Sequence, residues 1–193
     1  VRLDTGAISG YRVGQTVLVT GAGGSIGSEI VRQVSRYRPE KLLLLGRGEN
    51  SLFNIQREMA SAHPELEVQV LVCDVRDADR LRYLWGLHLP DVVFHAAAHK
   101  HVPMMEENPD EAVLNNVFGT RNLVELALEY GVTRFVNIST DKAVNPTSIM
   151  GASKRIAEKV VKNASNRCEE TQAFVSVRFG NVLGSRGSVV PTV

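Results

Sequence analysis

The glycine-rich turn that follows the first apolar run constrains the fold of this chain more than any other feature. Residues 16–20 read Thr-Val-Leu-Val-Thr, which is typical of a short buried β-strand. Gly21, Gly24 and Gly27 follow directly, and a helical pattern covers residues 28–37. Glycines at this spacing permit a tight turn and let the backbone approach a pyrophosphate, whose charge then lies at the helix N-terminus. The turn therefore predicts a dinucleotide site, and a glycine-rich turn without a ligand is the alternative.

Apolar runs alternate with helical patterns along the rest of the chain. The predicted strands are residues 16–20, 41–45, 66–73, 91–95, 133–138 and 173–178, and the predicted helices are residues 28–37, 50–62, 77–84, about 109–130 and about 148–163. This alternation is typical of a parallel sheet with helices on both faces. We therefore predict an α/β fold with a doubly wound, Rossmann-like parallel sheet.

The same pattern predicts how the chain is organised. Residues 1–15 form a lead-in segment in which hydrophobic residues show no helix or strand period. Residues 16–193 form one dinucleotide-binding domain. The substrate-binding region is expected to begin at about residues 178–193. Because the chain starts at Val1 without a methionine and stops after a Gly/Ser-rich loop, we expect it to be a piece of a longer polypeptide that carries most of the substrate part.

Composition narrows the classes of partner. The 193 residues, of which 44% are hydrophobic, suffice for one sizeable core. Lys plus Arg number 22 and Asp plus Glu 21, so the net charge of +1 gives no reason to expect nucleic acid or an anionic membrane as partner. The longest apolar run, residues 42–45, is too short to cross a bilayer. Cys73 and Cys168 match no metal or redox spacing, which favours a reduced, cytoplasmic compartment, and no metal site is predicted.

The stretch from residue 138 to residue 155 carries the candidate chemistry. Thr140, Asp141 and Lys142 stand together where the fifth strand is predicted to end, and open α/β sheets bind ligands at such strand ends. An adjacent acid and base could protonate a leaving hydroxyl and remove a carbon-bound proton. Taken alone, the pair is more typical of a solvated turn before Pro146. A lysine base also needs a lowered pKa, which burial or a nearby cation such as Lys154 would supply.

Three turns resemble the extended branch of the short-chain dehydrogenase/reductase superfamily. They are the glycine turn after Thr20, the Cys-Asp-Val stretch of residues 73–75 and the His-Ala-Ala-Ala stretch of residues 95–98. The resemblance implies a nicotinamide cofactor, with Asp74 and the next amide at the adenine. The predicted cofactor contacts are Gly21, Gly24, Ser25, Ile26, Gly27, Arg47, Asp74, Val75, Ala96, Ala97, Ala98 and Lys154.

The choice between NAD and NADP depends on the end of the second strand. An acidic residue there binds a free ribose 2′-hydroxyl, whereas an arginine suits a 2′-phosphate. Residues 46–49 read Gly-Arg-Gly-Glu. Arg47 favours NADP, whereas Glu49 is compatible with NAD. Both cofactors remain possible.

The tyrosine that most of this superfamily uses for proton transfer is absent. In the usual pattern a Ser or Thr is followed by Tyr-x-x-x-Lys, and here Ser139 and Thr140 lead to Met150 and Lys154. The four tyrosines lie at positions 11, 37, 83 and 130, none of them near this stretch. Methionine has no proton to give. Either the domain is catalytically silent, or other residues move the protons.

Four stretches together resemble the UDP-N-acetylglucosamine 4,6-dehydratases of polysaccharide biosynthesis. They are residues 20–29, residues 95–103, Ser139 to Lys142 with Met150 and Lys154, and residues 178–188. The resemblance covers the chain from about residue 14 to about residue 191. Methionine in place of tyrosine resembles the long branch of this family, whose soluble catalytic domains follow transmembrane helices on the cytoplasmic face of the inner membrane.

The resemblance implies an internal redox reaction on a UDP-sugar. C4 of the sugar is oxidised, water leaves across C5 and C6, and the hydride returns to C6, so a tightly bound NADP or NAD is recycled. By the family pattern Lys142 is the base at C5 and Asp141 the acid at the C6 hydroxyl. By the same pattern Thr140 donates to or accepts from the C4 oxygen, and Lys154 holds the nicotinamide ribose. Because Met150 has no proton to give, we expect Thr140 to relay the C4 hydroxyl proton to Asp141 or Lys142.

The resemblance also implies substrate contacts and a homo-oligomer. The predicted substrate-binding residues are Lys100, His101, Asn116, Asn181, Ser185, Arg186 and Ser188. The last four lie in a donor-rich loop that begins at Arg178 and suits a diphosphate. Plain surface polarity is the alternative for the histidines around Lys100. The alternative functions are a nucleotide-sugar 4-epimerase or dehydrogenase, which the missing tyrosine disfavours, and a silent cofactor-binding module.

Overall fold

The computed structural model describes residues 14–180, which form alternating strands and helices. The strands are β1 (Thr16–Thr20), β2 (Lys41–Gly46), β3 (Glu67–Val72), β4 (Val92–His95), β5 (Arg134–Thr140) and β6 (Ala173–Phe179). The helices are α1 (Ser25–Ser35), α2 (Glu49–Ala62), α3 (Ala78–His88), α4 (Val102–Glu107), α5 (Pro109–Ala112), α6 (Gly119–Glu129) and α7 (Ile149–Ser165). A π-helical segment, Val113–Phe118, joins α5 to α6, and a 3₁₀ turn, Asp141–Ala143, follows β5.

The six strands form one parallel sheet in the order β3-β2-β1-β4-β5-β6. The chain therefore moves outward in one direction from β1 to β3 and in the other from β4 to β6. In the register, Thr20 at the end of β1 lies beside Leu45 on one side and His95 on the other. A crevice forms where the direction reverses, at the carboxyl ends of β1 and β4. The predicted fold class is confirmed.

The central strands are apolar because they are covered on both faces. Leu43 and Leu45 belong to a core on one side of the sheet, together with Phe135, whereas Leu42 and Leu44 belong to a core on the other side. Successive residues of a strand point to opposite faces, so a strand buried on both reads as a continuous apolar run. The run of leucines is therefore explained by the two helical layers.

The chain between β4 and β5 corrects the prediction of one continuous helix over residues 109–130. It contains α4, which was not predicted, then α5, the π-helical segment and α6. Asn108 between α4 and α5 has φ −134° and ψ 65°, and Pro109 follows it. Proline disfavours helical backbone in the residue before it and cannot donate to the preceding turn, so α4 and α5 cannot merge.

The first helix begins earlier than predicted. Ser25, Ile26 and Gly27 lie inside α1 rather than in the turn before it. Gly24 has extended backbone, φ −79° and ψ 168°, and is the N-cap residue directly before the helix. The turn from β1 into α1 is thus only four residues long, residues 21–24.

Some predictions lie outside the described residues. They concern the lead-in segment up to residue 13 and the loop that contains Asn181, Ser185, Arg186 and Ser188. Between residues 14 and 180, no helix is long and apolar enough to cross a membrane.

Candidate active site

The turn after β1 requires glycine because backbone segments meet there. Gly21 has φ +67°, and a Cβ on it would lie 2.7 Å from the backbone nitrogen of Ala97 in the turn after β4. A Cβ on Gly27 would overlap the carbonyl oxygen of Gly21. The amide of Gly24 donates to that same carbonyl over 2.9 Å. The glycines thus let α1 and the β4 turn close on the end of β1, with no Cβ in the way of a ligand.

A cleft of about 200 Å³ lies over this turn and extends across the ends of β2 and β3. Its walls contain eight of the predicted cofactor residues, namely Gly21, Gly24, Arg47, Asp74, Val75, Ala96, Ala97 and Ala98. Ser25, Ile26, Gly27 and Lys154 are not among its lining residues. α1 begins without a capping side chain among the described residues, so its first amides can donate to an anion. The lining suits the pyrophosphate and the adenosine part of a dinucleotide.

Sequence reasoning missed several lining residues, among them Ser51 and His99. Ser51 lies in the first turn of α2, and its hydroxyl donates to the carbonyl of Gly48 over 2.8 Å. Its place directly after the Gly46-Arg47-Gly48 turn was the signal that could have found it. His99 follows the alanine turn by one residue, and the sequence offered no reason to separate it from the polar residues after it.

The adenosine end predicted for the cleft carries a network of charges. Arg76 donates to both carboxylate oxygens of Asp74, over 3.1 Å from Nε to Oδ1 and 2.8 Å from Nη2 to Oδ2. Its other nitrogen donates to Glu111 over 3.0 Å, and Arg47 lies 3.8 Å from Asp74. Hydrogen bonds from Arg76 hold the pKa of Asp74 below its usual value despite partial burial. Asp74 therefore lines the cleft as a charged acceptor already bound to Arg76, a partner that the sequence did not indicate.

A buried histidine joins the elements beneath the turn. Thr120 donates its hydroxyl proton to the carbonyl of Asn116 over 2.6 Å, so it accepts from Nε2 of His95 at 2.9 Å. Nδ1 of His95 then accepts from the hydroxyl of Thr20 at 2.7 Å. Burial, with Lys154 as the second cause, lowers the pKa of His95 to about 3. The neutral ring therefore connects the ends of β1 and β4 to α6.

Asn116 supports the site from below. It is 1% exposed and lies in the π-helical segment. Its amide oxygen accepts from the amide of His99 over 2.8 Å and from Asn115 over 3.1 Å. Its amide nitrogen donates to the carbonyl of His99 and to the hydroxyl of Ser153, each over 3.0 Å. All four hydrogen-bonding positions of this amide are used, which favours a supporting role over the direct substrate contact that we predicted.

Thr140, Asp141 and Lys142 lie together at the end of β5. The hydroxyl of Thr140 donates to Oδ1 of Asp141 over 2.9 Å, and Nζ of Lys142 lies 3.5 Å from the same oxygen. The hydrogen bond from Thr140 is the largest cause that lowers the pKa of Asp141. A Cβ on Gly151 would lie 2.6 Å from the carbonyl oxygen of Lys142, so this glycine lets α7 begin directly against the turn. The structure brings the three predicted catalytic residues together.

Burial, one of the two ways in which the pKa of Lys142 was expected to be lowered, is not found at this residue. Its side chain is 40% exposed, and its Nζ lies 3.5 Å from Oδ1 of Asp141. Burial is found at Lys154, which is 6% exposed and donates to the carbonyl of Ile138 over 2.7 Å. Desolvation lowers the pKa of Lys154 to about 8, against the opposing charge of Glu158. The exposed turn after β5 accounts for the difference, since it leaves the Lys142 stem without a covering layer.

Met150, which we predicted to replace the superfamily tyrosine, lies in the first turn of α7. It is buried and packs in a small apolar cluster with Met105 and Ala112. The side chain thus gives the start of α7 an apolar contact with α4 and α5. Any proton transfer at this end of the sheet must use other residues, of which Thr140 and Asp141 are placed for it.

The remaining predicted substrate residues lie apart from the cleft or outside the described residues. Lys100 and His101 are exposed just before α4 and are not among the cleft's lining residues. Arg178 departs from the expected diphosphate contact, because its guanidinium donates to Glu158 over 2.8 and 2.7 Å. The loop that follows Gly180 is not described.

Comparisons with known proteins agree with this architecture. A family model described as "Polysaccharide biosynthesis protein" matches residues 17–193. The capsular polysaccharide biosynthesis protein CapD of Staphylococcus aureus is 53% identical over 192 residues, which are 99% of this chain and 32% of that protein. An inverting UDP-N-acetylglucosamine 4,6-dehydratase of Campylobacter jejuni is 39% identical over 180 residues, 92% of this chain and 52% of that protein.

A solved structure extends the likeness to three dimensions. The X-ray structure of Pen from Bacillus thuringiensis is similar with a TM-score of 0.84 and 38% sequence identity, over 92% of this chain and 55% of that one. The chain spans 32% of the length of the Staphylococcus aureus protein and 52% of the length of the Campylobacter jejuni dehydratase.

Proposed function

Because this chain belongs to the family of polysaccharide biosynthesis proteins, we propose that its parent is a nucleotide-sugar 4,6-dehydratase acting on UDP-N-acetylglucosamine for surface polysaccharide synthesis. The observation that carries the proposal is the cluster of Thr140, Asp141 and Lys142 at the end of β5, combined with a buried Met150 at the tyrosine position. The cluster supplies an acid and a base where a superfamily epimerase would need tyrosine. The 39% identical dehydratase of Campylobacter jejuni supports the same reaction.

The cofactor in this proposal is NAD or NADP, tightly bound and recycled. The glycine turn and the first amides of α1 would hold its pyrophosphate, and Arg47, Asp74 and Ser51 would surround its adenosine part. When bound, the cofactor accepts a hydride from the sugar and returns it. Lys154, whose ammonium is buried near the end of β5, would fix the nicotinamide ribose.

The proton steps of the proposal balance over one turnover. Thr140 would take the C4 hydroxyl proton and pass its own to Asp141, to which it already donates over 2.9 Å. Asp141 would then give that proton to the departing C6 hydroxyl, which leaves as water. Lys142 would remove the C5 proton as a neutral amine and return a proton to C5 at the end. The carboxylate and the hydroxyl thus begin and end the cycle in the same state.

The setting of the reaction is part of the proposal. Residues 16–193 would form the dinucleotide-binding domain, and further chain of the parent would complete the pocket for the uridine and the sugar. The parent would act as a homo-oligomer on the cytoplasmic face of the inner membrane. The family resemblance supports this arrangement.

The test uses the full parent protein with UDP-N-acetylglucosamine in deuterated water, followed by mass spectrometry and NMR. We expect loss of one water and one solvent deuteron at C5, because the base at C5 exchanges its proton with solvent. Recovered substrate inverted at C4 would indicate an epimerase, and unchanged substrate would indicate a silent module. Either result would reject the dehydratase.

Two variants assign the roles. Asp141→Asn and Lys142→Ala should each lower kcat by about 10²–10⁴-fold, the usual contribution of a general acid or base. Cofactor affinity should stay unchanged, because neither residue is among the lining residues of the cleft. Unchanged turnover in both variants would exclude the two residues from the chemistry.

A further inference from the structure

Glu158 is a buried carboxylate that the proposed reaction leaves unused. It lies one helical turn after Lys154 on α7, and its side chain is 9% exposed. Oε1 accepts from the hydroxyl of Ser139 over 2.6 Å and from Nε of Arg178 over 2.8 Å. Oε2 accepts from Nη2 of Arg178 over 2.7 Å and from Arg155 over 3.2 Å. This buried carboxylate therefore joins α7 to β5 and β6 through its hydrogen bonds, and it is not an exposed surface charge.

The charge state of Glu158 follows from these donors. Desolvation acts most strongly and raises the pKa, but the hydrogen bonds from Arg178 and Ser139 and the charge of Arg178 together lower it to about 2. The carboxylate is therefore ionised throughout the physiological range. It acts as a fixed acceptor for both partners.

The two main partners of Glu158 are neighbours across the sheet. Ser139 of β5 pairs in register with Arg178 of β6, and both lie near the carboxyl ends of their strands. Ser139 immediately precedes Thr140, the first residue of the proposed catalytic cluster. Arg178 stands two residues before Gly180, at which a Cβ would lie 3.8 Å from Oδ2 of Asp141. One carboxylate on α7 thus holds two strand ends that flank the cluster.

We propose that Glu158 is a positioning residue, which fixes the catalytic end of β5 relative to the end of β6. The inference rests on the proposed function, because it concerns the same cluster. It gives Arg178 a role near the end of β6, where its guanidinium donates to Glu158, in place of the diphosphate contact expected from sequence. It also gives Ser139 a role separate from that of Thr140.

A purely stabilising Glu158 would behave differently. It would change the melting temperature and leave turnover by the folded protein unchanged. A positioning residue changes kcat and KM for the UDP-sugar in protein that is fully folded, because small displacements of reacting groups reduce rates steeply. Cofactor affinity should change far less than kcat, because neither Ser139, Arg178 nor Glu158 lines the cofactor cleft and Lys154 keeps its hydrogen bond to the carbonyl of Ile138.

The experiment compares Glu158→Gln with Arg155→Gln in the full parent protein. Glu158→Gln keeps the shape of the side chain and removes its charge. We expect kcat for UDP-N-acetylglucosamine to fall by at least about tenfold and KM to rise, with cofactor Kd within about twofold of wild type. Arg155→Gln removes a partner of the same carboxylate from the solvent side and should leave all three constants within about twofold.

Hydrogen–deuterium exchange provides a readout that needs no turnover. Glu158→Gln should increase exchange in the peptides covering residues 134–142 and 173–180 and leave the turn of residues 20–28 unchanged. If Glu158→Gln does not fold, Ser139→Ala tests the inference. It removes only the hydrogen bond between β5 and Glu158 and leaves those from Arg178 in place. That variant should increase exchange at residues 134–142 and lower kcat.

Two results would overturn the inference. Either folded Glu158→Gln has wild-type kcat, KM and exchange, or Arg155→Gln reproduces all of its effects. An inactive wild-type parent rejects the proposed function alone, because the exchange comparison still decides whether Glu158 holds the two strand ends.

Discussion

At the scale of single residues, two lysines near the end of β5 occupy opposite environments. Lys154 is buried on α7 and donates to the carbonyl of Ile138, whereas Lys142 lies in an exposed turn beside Asp141. Taking an ammonium out of water disfavours its charged form, so the lowered pKa belongs to Lys154. In the proposed reaction the buried lysine would hold a cofactor hydroxyl, and the exposed one would meet the substrate.

The burial of Lys154 predicts how stability depends on pH. Its pKa is 10.5 in an ordinary setting and about 8 in the folded chain, so between these values the unfolded state binds more protons. Stability therefore rises with pH across this window, and the cost of burying the charge is fully present below about pH 8. Relative to Lys154→Met, the free energy of unfolding of wild type should rise by about 3 kcal/mol through the window. Urea denaturation at several pH values measures this difference, and parallel curves for the two proteins would contradict it.

Arg47 predicts how the cleft distinguishes two cofactors. Its guanidinium lies at the cleft end of β2, where a ribose 2′-phosphate would be read, and contacts Asp74 only at 3.8 Å. A charge-assisted hydrogen bond to a phosphate contributes about 1.5–3 kcal/mol. Arg47→Ala should therefore raise the Kd of NADP by about tenfold or more and that of NAD by less than about twofold. Fluorescence titration with both cofactors tests this. An equal rise in both Kd values would show that Arg47 contacts a part of the molecule common to NAD and NADP.

At the scale of elements, the turn between β1 and α1 depends on contacts that only glycine allows. Gly27 lies in the first turn of α1, where a Cβ would lie 2.6 Å from the carbonyl carbon of Gly21. Backbone cannot move aside as a flexible side chain can. The position of α1, and with it the anion site at its N-terminus, follows from this close approach.

Two glycine substitutions test this reasoning. Gly27→Ala should displace α1, destabilise the fold by about 1–3 kcal/mol and weaken cofactor binding strongly. Gly86→Ala is the matched control, because it lies within α3 and its Cβ would make an ordinary contact, 3.6 Å from the hydroxyl of Tyr130. That change should stabilise the protein by about 0.5–1 kcal/mol through helix propensity. Thermal denaturation and cofactor titration measure both, and a Gly27→Ala variant with unchanged affinity would contradict the account.

At the scale of the whole molecule, β5 carries both the core and the site. Phe135 is fully buried near the start of β5. Its ring centroid lies 5.4 Å from that of Phe174 and 6.2 Å from that of His95. The opposite end of the same strand carries Thr140. Packing at one end therefore sets the position of the chemical groups at the other.

Phe135→Ala should show how much of the stability depends on this strand. Removing a buried aromatic ring costs about 3–5 kcal/mol, a large share of the roughly 5–15 kcal/mol that a domain has. The exposed Tyr83 on α3 serves as control, and Tyr83→Ala should stay within about 0.5 kcal/mol of wild type. Denaturant unfolding measures both changes. A loss below about 1 kcal/mol for Phe135→Ala would show that the core reorganises around the missing ring.

The sequence by itself determined the features that depend on local spacing. The alternation of strands and helices, the order of the turns and the glycine pattern after β1 are all properties of neighbouring residues, and the structure confirms them. The grouping of Thr140, Asp141 and Lys142 was equally predictable, because three successive residues at a strand end stay together in any fold.

The tertiary structure alone decided which residues pair across the fold. The pairs Arg76–Glu111, Glu158–Ser139 and Glu158–Arg178 unite segments that local patterns do not connect. Burial is likewise set by what packs above a side chain, so Lys154 rather than Lys142 is the desolvated lysine. Periodicity reports which face a residue occupies, whereas the partner and the solvent exposure of a charge depend on distant segments that only folding brings into contact.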